Sequence, residues 1–259
     1  MKKETYLKVA MKTAQETGRM LREHINDVGE IHFKGSVDLV TNFDDRAQSM
    51  IFDRLSFCFP DHDFLAEEGL TKEKGSDFRW IIDPLDGTTN YAHHFPVFTV
   101  SLALELKGEI ICGVVYDPMR EEMFSSIKHE GAFLNGKKIS VSLVNELDKS
   151  LIATGFPYDV RESEVNNISH FNNFLIKVQA IRRCGSAAMD LCHLACGRFD
   201  GFWELKLKPW DMAAGALIVQ EAGGRISDFQ DEEFTIFSSE ILASNGLIHQ
   251  KMVDVLTGK

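Results

Sequence analysis

The sequence predicts a mixed α/β fold in which helices and sheets are layered on one another. Helical spacing of apolar residues fills the first 27 residues, strand-length apolar runs follow one another from about residue 97 to 134, and strands alternate with helices after about residue 150. Consecutive strands indicate an antiparallel portion of sheet, and the alternation indicates helices packed on a sheet. No repeat or low-complexity linker interrupts the chain.

The first helix is predicted because apolar residues recur every three or four positions and so form one face. These residues are Leu7, Ala10, Ala14, Gly18, Leu21 and Ile25. Residues 31–41 are predicted to be extended chain or a hairpin that turns at Gly35-Ser36. Helical spacing returns from Asp44 and ends at Pro60.

Two short apolar runs, residues 64–66 and 78–82, each end directly in acidic residues, which places carboxylates at strand ends. Further strands are predicted at residues 98–106, 110–116, 123–126 and 132–134. In the second half, strands at residues 151–154, 180–183, 199–204 and 241–244 alternate with helices at 165–177, 186–196, 211–222 and from about 246. Pro209 and Gly223-Gly224 are start and stop signals for the third of these helices.

Composition narrows the possible functions. The 259 residues are 44% apolar, which is ample for a buried core, and carry a formal net charge of −11. No run of Lys and Arg is long enough to bind nucleic acid or lipid headgroups, so neither is expected as a direct partner. The first residues lack the apolar stretch of a signal peptide, and no window approaches the roughly 20 apolar residues of a membrane span. We expect a soluble cytoplasmic protein.

The five cysteines are an odd number without a Cys-x-x-Cys pair, so a disulfide framework is not expected. Cys192 and Cys196 stand four residues apart in a predicted helix, with His193 between them, and a metal or redox site is one interpretation. Free cysteines commonly behave as small buried hydrophobes, and we favour that interpretation.

The segment with the clearest chemistry follows the strand at residues 78–82. Pro84 steers Asp83 towards extended geometry, and a turn at Pro84-Leu85 allows Asp86 to fold back towards Asp83. Two ionised carboxylates about 4 Å apart repel by about 4 kcal/mol at an effective dielectric constant of roughly 20. A shared proton or a bound cation offsets this repulsion, and hard oxygen ligands suit Mg²⁺, Mn²⁺ or Ca²⁺.

Further carboxylates at Glu67, Glu68 and Asp211 favour the cation. Three simpler roles stay open at this point. Asp83 could bond to the backbone of a capped turn, Glu67 and Glu68 could be solvated loop charges, and Asp211 could cap its helix.

The residues that follow Asp86 suit a phosphate group. Gly87-Thr88-Thr89 offers successive N–H groups and hydroxyls where a helix begins. Phosphatases that use a covalent aspartyl nucleophile carry two Asp residues two positions apart, whereas Asp83 and Asp86 are three apart. We therefore interpret Asp83 and Asp86 as metal ligands, with water as the attacking group.

Several segments along nearly the whole chain resemble the inositol monophosphatase family of Mg²⁺-dependent, lithium-sensitive phosphatases. They are LVTNFD at residues 39–44, FLAEEG at 64–69, WIIDPLDGTTNY at 80–91, PWDMAAG at 209–215 and EAGG at 221–224. The resemblance implies one domain over residues 1–259, a layered αβαβα sandwich like that of inositol monophosphatases and fructose-1,6-bisphosphatases. It also implies a homodimer and a cluster of two or three Mg²⁺ ions, with Mn²⁺ as a substitute.

The resemblance further implies a role for each site residue. The implied metal ligands are Glu67, Asp83, the Leu85 carbonyl, Asp86 and Asp211. Asp44 and Thr88 resemble the pair that, with Glu67, orients and deprotonates the attacking water. Gly87 and Thr88 are implied to contact the phosphate, and Gly185, Ser186, Ala187 and Glu204 are implied to face the substrate hydroxyls. The full set of implied substrate-binding residues is Asp86, Gly87, Thr88, Gly185, Ser186, Ala187, Glu204 and Asp211. Lys34 and Gly35 match a mobile loop near the metals, and Lys34 is an accessory candidate.

The activity implied by the resemblance is hydrolysis of myo-inositol 1-phosphate and related polyol or sugar monophosphates by a Mg²⁺-activated water. One alternative is the same chemistry on fructose 1,6-bisphosphate, NADP or a 3′-phosphonucleotide. A second alternative is a regulatory or interaction protein that keeps the fold without turnover. Because an acidic site repels a phosphate monoester until divalent ions reverse its charge, activity is expected to require metal.

Overall fold

The secondary structure comes from a computed structural model, which describes residues 2–27, 31–33, 39–69 and 71–259. The helices are α1 (Lys3–His24), α2 (Asn42–Cys58), α3 (Thr88–Ala92), α4 (Ile168–Leu175), α5 (Ala187–Ala195), α6 (Pro209–Glu221) and α7 (His249–Thr257), with a 3-10 turn at Leu147–Lys149. The strands are β1 (Ile31–Phe33), β2 (Leu39–Thr41), β3 (Asp63–Ala66), β4 (Thr71–Lys72), β5 (Phe78–Asp86), β6 (Thr99–Leu106), β7 (Glu109–Asp117), β8 (Glu122–Ile127), β9 (Gly131–Leu134), β10 (Lys137–Lys138), β11 (Leu151–Thr154), β12 (Ala180–Arg182), β13 (Gly201–Leu205), β14 (Arg225–Ser227) and β15 (Glu240–Ser244).

The first half of the chain builds an eight-stranded sheet with the order β10-β9-β8-β7-β6-β5-β3-β4. Strands β3 and β5 run parallel, and the other neighbouring strands are antiparallel. The antiparallel portion predicted between residues 97 and 134 is therefore confirmed as β6 to β9. Short connections between these strands explain why the sequence shows one strand directly after another.

The second half builds a five-stranded sheet with the order β12-β11-β13-β15-β14, in which β11 is parallel to both of its neighbours. Separately, β1 pairs with β2 in antiparallel register, which confirms the hairpin interpretation of residues 31–41. The predicted turn at Gly35-Ser36 and the accessory candidate Lys34 lie outside the described residues.

Helices and sheets alternate in five layers, so the predicted αβαβα sandwich is confirmed. Helices α1 and α2 cover one face of the large sheet, α5 and α6 lie between the two sheets, and α4 and α7 lie on the small-sheet side. Each boundary is filled by a cluster of buried apolar side chains. Gly113 of β7 permits close packing in the middle, because a Cβ there would lie 2.9 Å from the Ala214 carbonyl oxygen of α6.

Strand β5 differs from the prediction at the point where the site begins. We predicted that the strand ends at residue 82, but it continues through Pro84 to Asp86, with a register irregularity between Asp83 and Asp86. Pairing resumes where Asp86 faces Thr99 of β6. Because proline has no N–H to donate, it is tolerated at such an interruption of the ladder.

The cysteines are free thiols, and Cys192 is fully buried in the apolar cluster between the sheets. Burial raises the pKa of the Cys192 thiol well above its usual value, and this favours an unreactive thiol. Within the ranges given above, no helix is both long enough and apolar enough to cross a bilayer.

Candidate active site

A cavity of about 460 Å³ opens where β5 and α3 of the first half face the start of α5, the end of β13 and the start of α6. It brings together nearly all of the predicted site residues. Those that line it are Glu67, Asp83, Leu85, Asp86, Gly87, Thr88, Gly185, Ser186, Ala187, Glu204 and Asp211. Asp44 does not line the cavity and is fully buried.

Asp83 lies at the irregularity of β5 and is 1% exposed. Its Oδ1 accepts a hydrogen bond from the Leu85 N–H at 3.0 Å, so the simple backbone role considered for Asp83 is present. Burial raises its pKa well above the usual value, and the charges of Glu67, Asp86 and Asp211 raise it further. A hydrogen bond with Glu67 also raises the pKa of Asp83.

Asp86 connects the end of β5 to α5. Its Oδ2 accepts hydrogen bonds from Ser186 Oγ at 2.6 Å and from the Ala188 N–H at 2.8 Å. Burial raises the pKa of Asp86, and these hydrogen bonds oppose that shift because they stabilise the carboxylate. Ser186 also caps α5 by accepting from the Met189 N–H. The position of residues 186–188 therefore depends on the Asp86 side chain.

Thr88 and Asp44 form a hydrogen-bonded pair, as the resemblance implied. Thr88 Oγ1 lies 2.8 Å from Asp44 Oδ1 and 3.0 Å from the Leu85 carbonyl oxygen. A hydroxyl has one proton to donate, and a carboxylate is the stronger acceptor. One turn after Asp44 on α2, the Gln48 amide bonds to the N–H and the carbonyl of Glu68. Helix α2 thus holds both Asp44 and the residue next to Glu67.

Two glycines allow the loops of the two halves to approach. Gly87 has a φ of 106°, and a Cβ there would lie 3.0 Å from the Val97 carbonyl oxygen and 3.2 Å from that of Gly185. Asn90 links the same loops, because its Nδ2 donates to the carbonyls of Val97 and Cys184, each at 2.8 Å. The sequence analysis assigned Asn90 no role, and only its place beside Thr88 and Thr89 could have suggested one.

Glu204 of β13 and Asp211 of α6 also line the cavity. Glu204 is buried, and burial is the first cause of its strongly raised pKa; the charges of Asp190 and Asp211 raise it further, and Arg183 lowers it. Asp211 Oδ2 accepts from the Lys208 N–H at 2.7 Å, so Asp211 does cap α6. Capping does not remove Asp211 from the site, because its charge also raises the pKa of Asp83.

Sequence reasoning missed several lining residues. Arg183 and Asp190 lie on either side of the predicted Gly185 to Ala187 segment, and Asp190 is 1% exposed. Their charges were visible, but nothing in the local spacing distinguishes a residue that faces the cavity from one that faces solvent. The loop that contains Tyr158 also lines the cavity, and its sequence carries no motif.

The charge of the cavity bears on which ligands it accepts. Seven acidic and three basic side chains line it, so an anion is repelled unless cations are present. Among the described residues, no group of three or more His, Cys, Asp or Glu side chains is arranged so that it could hold a metal ion without rearrangement. The converging donors are nevertheless carboxylate and carbonyl oxygens, which suit Mg²⁺ or Mn²⁺. A divalent cation would also relieve the repulsion that raises the pKa of Asp83.

Comparison with known proteins places this site in a family. The sequence model of the inositol monophosphatase family matches residues 2–257. The chain is 43% identical over 255 residues to the inositol-1-monophosphatase of Synechocystis sp., covering 98% of this chain and 89% of the relative. It is 39% identical over 250 residues to the Nus factor SuhB of Escherichia coli strain K12, covering 95% of this chain and 94% of that protein.

A solved structure agrees with the sequence matches. The inositol monophosphatase of Anabaena (Nostoc) sp. superposes on the chain with a TM-score of 0.90 at 39% identity, covering 98% of this chain and 96% of that one. Because the superposition covers 98% of this chain, it extends over both sheets. The chain belongs to the inositol monophosphatase family.

Proposed function

We propose that this chain is a Mg²⁺-dependent phosphomonoesterase that hydrolyses myo-inositol 1-phosphate and related polyol or sugar monophosphates. The observation that supports this most directly is the convergence of four carboxylates on the cavity that Thr88 and Glu204 also line. Membership of the family supports phosphatase activity. We further infer that residues 1–259 work as one domain, because α5 and α6 pack against both sheets.

The proposed ligands for two or three Mg²⁺ ions are Glu67, Asp83, the Leu85 carbonyl, Asp86 and Asp211. Bound Mg²⁺ lowers the pKa of water and stabilises a leaving alkoxide. Asp83 would be ionised as a ligand, so its raised pKa means that metal binding would compete with its proton.

Asp44, Thr88 and Glu67 are proposed to orient and deprotonate the attacking water. Thr88 Oγ1 donates to Asp44, so its lone pairs remain free to accept a hydrogen bond from water in the cavity. Asp44 is fully buried, and the Thr88 hydroxyl lies between it and the cavity. A proton taken from water therefore passes to Asp44 by way of Thr88, or directly to the Glu67 carboxylate.

The remaining residues bind the substrate. The N–H groups of Gly87 and Thr88 are proposed to hold phosphate oxygens, next to the carboxylates that carry the cations. Residues 185–187 and the Glu204 carboxylate line the other side, where the hydroxyls of the leaving group would lie. In this arrangement the phosphate ester is hydrolysed near Asp83, and the alcohol part of the substrate is recognised near Glu204.

A homodimer is proposed from the surface of α4. Ile168 and Leu175 are seven residues apart and therefore lie on one face of this helix, where they are 46% and 54% exposed. Ile176, next along the chain, is 83% exposed, whereas Phe174 is buried in the core. Exposed apolar patches of this kind mark protein interfaces. We also propose a cytoplasmic location, and we propose no direct binding to nucleic acid because the net charge is −11.

The proposal is tested by phosphate release from a panel of esters, with and without Mg²⁺ and with added Li⁺. We expect release from myo-inositol 1-phosphate that requires Mg²⁺ and is inhibited by Li⁺. Asp44→Asn should lose most of this activity, whereas Asp45→Asn, at the exposed neighbouring position of α2, should keep it.

The same panel decides between the alternatives. Preferred release from fructose 1,6-bisphosphate, NADP or a 3′-phosphonucleotide would support the same chemistry on another substrate. No release from any ester in the presence of Mg²⁺ would contradict the enzyme and support a non-catalytic interaction role. The bonded pair of Thr88 and Asp44 favours turnover.

A further inference from the structure

A second cavity, of about 350 Å³, lies against α1 and is called the α1 cavity here. The α1 cavity and the carboxylates of the active site lie on opposite faces of the large sheet. Tyr116 belongs to the core on the α1 side. Ser101 pairs with Asp83 across β6 and β5 and hydrogen-bonds to the backbone of α6, on the other face. Its volume is within the range of small-molecule sites, about 300 to 1,000 Å³. The polar residues that line it are Gln15, Arg19, Arg22, Tyr116, Glu121 and Asn135.

Tyr116 supplies a largely buried side chain whose hydroxyl is accessible from the cavity. The residue is 6% exposed, and its ring lies under α1 at Gly18, where a Cβ would be 2.6 Å from the ring. No hydrogen bond engages the Tyr116 hydroxyl within the part of the chain that the structure describes. The hydroxyl is not among the buried polar atoms that lack a partner, so it is accessible to solvent or to a ligand in the α1 cavity.

Two arginines of α1 make the cavity positive. Arg22 donates through Nη1 to Glu121 and to the Pro118 carbonyl oxygen, which leaves its Nε and Nη2 groups available. Arg19 is exposed and has no ion pair or hydrogen bond in the described ranges. Glu121 is the one acidic group among the lining residues, so the lining is positively charged in a protein whose net charge is −11.

Asn135 forms a fixed wall of the cavity. Its Oδ1 accepts from the Met123 N–H at 2.8 Å, and its Nδ2 donates to the Glu121 carbonyl oxygen at 3.1 Å. The groups that remain for a ligand are therefore guanidinium and phenol donors, with the amide of Gln15 at the rim. Donors of this kind match an oxyanion, and guanidinium groups bind phosphate in a bidentate manner.

We propose that the α1 cavity binds a small phosphate monoester, or inorganic phosphate, at a site separate from the catalytic cavity. A phosphate group has three terminal oxygens and nearly two negative charges at neutral pH, which matches two arginines and one hydroxyl. The volume of the cavity leaves room for a small polar group attached to the phosphate.

The test is calorimetric titration of the full chain with inorganic phosphate and with glycerol phosphate, in EDTA. Without divalent ions the acidic catalytic cavity repels both probes, and no turnover occurs. We expect saturable binding of one phosphate per chain. Arg19→Gln should weaken it at least about tenfold, and Tyr116→Phe roughly three- to tenfold. Glu121→Gln should strengthen binding, because it removes the competing carboxylate.

Lys12→Gln is the matched control, because Lys12 is an exposed cation of the same helix that pairs with Glu16 outside the cavity. Urea unfolding of each variant checks that the fold persists, and Tyr116→Phe retains the ring that packs under Gly18. Absence of saturable binding in EDTA would overturn the proposal. So would unchanged affinity in folded Arg19→Gln and Tyr116→Phe, or an equal loss in Lys12→Gln. Because no step requires catalysis, failure here is independent of the phosphate-release assay.

Discussion

Gly155 leaves the space that the Glu204 carboxylate occupies, and Gly155→Ala tests what that carboxylate does. A Cβ at residue 155 would lie 2.0 Å from Oε1, 2.3 Å from Cδ and 2.4 Å from Oε2 of Glu204. Non-bonded heavy atoms pack at roughly 3.5 Å or more, so the carboxylate has to move by about 1.5 Å. The free side of Glu204 is the cavity, and the carboxylate would move into it.

The substitution should leave the fold intact. Gly155 is absent from the positions with positive φ, so alanine meets no backbone strain there. The atoms that have to move are at the end of the flexible Glu204 side chain and do not belong to the backbone. Gly→Ala at a compatible position also reduces the entropy of the unfolded chain. We expect the free energy of unfolding to stay within about 1 kcal/mol of the original value.

Activity should change with the substrate. A misplacement of about 1 Å can cost roughly 100-fold in rate, so kcat/KM for myo-inositol 1-phosphate should fall by about that factor. p-Nitrophenyl phosphate has no hydroxyls for Glu204 to contact, and its hydrolysis should fall by less than about threefold, because the carboxylates around Asp83 are unchanged. The measurement is kcat and KM for both esters at saturating Mg²⁺, with Glu204→Gln as a second variant of similar size.

Two results would refute this reasoning. Unchanged hydrolysis of myo-inositol 1-phosphate by folded Gly155→Ala would show that Glu204 does not contact the leaving group. Equal losses for both esters would place Glu204 in the hydrolysis itself and not in the recognition of the alcohol.

Four further predictions test other parts of the molecule. Asp86→Asn should stay folded, because its amide oxygen still accepts hydrogen bonds, but lose at least about 100-fold in kcat; near-original turnover would contradict a ligand role. Thr88→Val should lower kcat by about 10² to 10⁴ with little change in KM, as expected for a group that transfers the proton of water, and an unchanged kcat would exclude that role. The raised pKa of Asp83 means that its proton is retained to a higher pH than usual, so Mg²⁺ affinity should rise with pH, and calorimetry in two buffers of different ionisation enthalpy should detect proton release; binding without release would show that Asp83 is already ionised. Gly113→Ala should destabilise the fold by about 1 to 3 kcal/mol in urea unfolding, because the new Cβ meets the backbone of Ala214 at 2.9 Å, and an unchanged midpoint would contradict that contact.

Much of the fold could be predicted because helices and strands each produce a characteristic local spacing of apolar residues in the sequence. The spacing of apolar residues predicted α1, the antiparallel strands from β6 to β9, and the alternation in the second half. The end of β5 was predicted too early because the apolar run stops at Ile82 and Pro84-Leu85 favours a turn. Pairing with β6 outweighed that signal, since the ladder resumes where Asp86 faces Thr99.

The sequence by itself determined the family, the residue types of the proposed metal and phosphate sites, and the layered architecture, because these depend on motifs and on local periodicity. Only the tertiary structure decided that Asp86 accepts hydrogen bonds from Ser186, 100 residues away, and that Gly155 makes room for Glu204. It also placed Arg183 and Asp190 in the cavity. These contacts depend on how the two sheets pack around α5 and α6. The residue spacing within one segment of the sequence does not determine how far apart two distant segments lie in the fold.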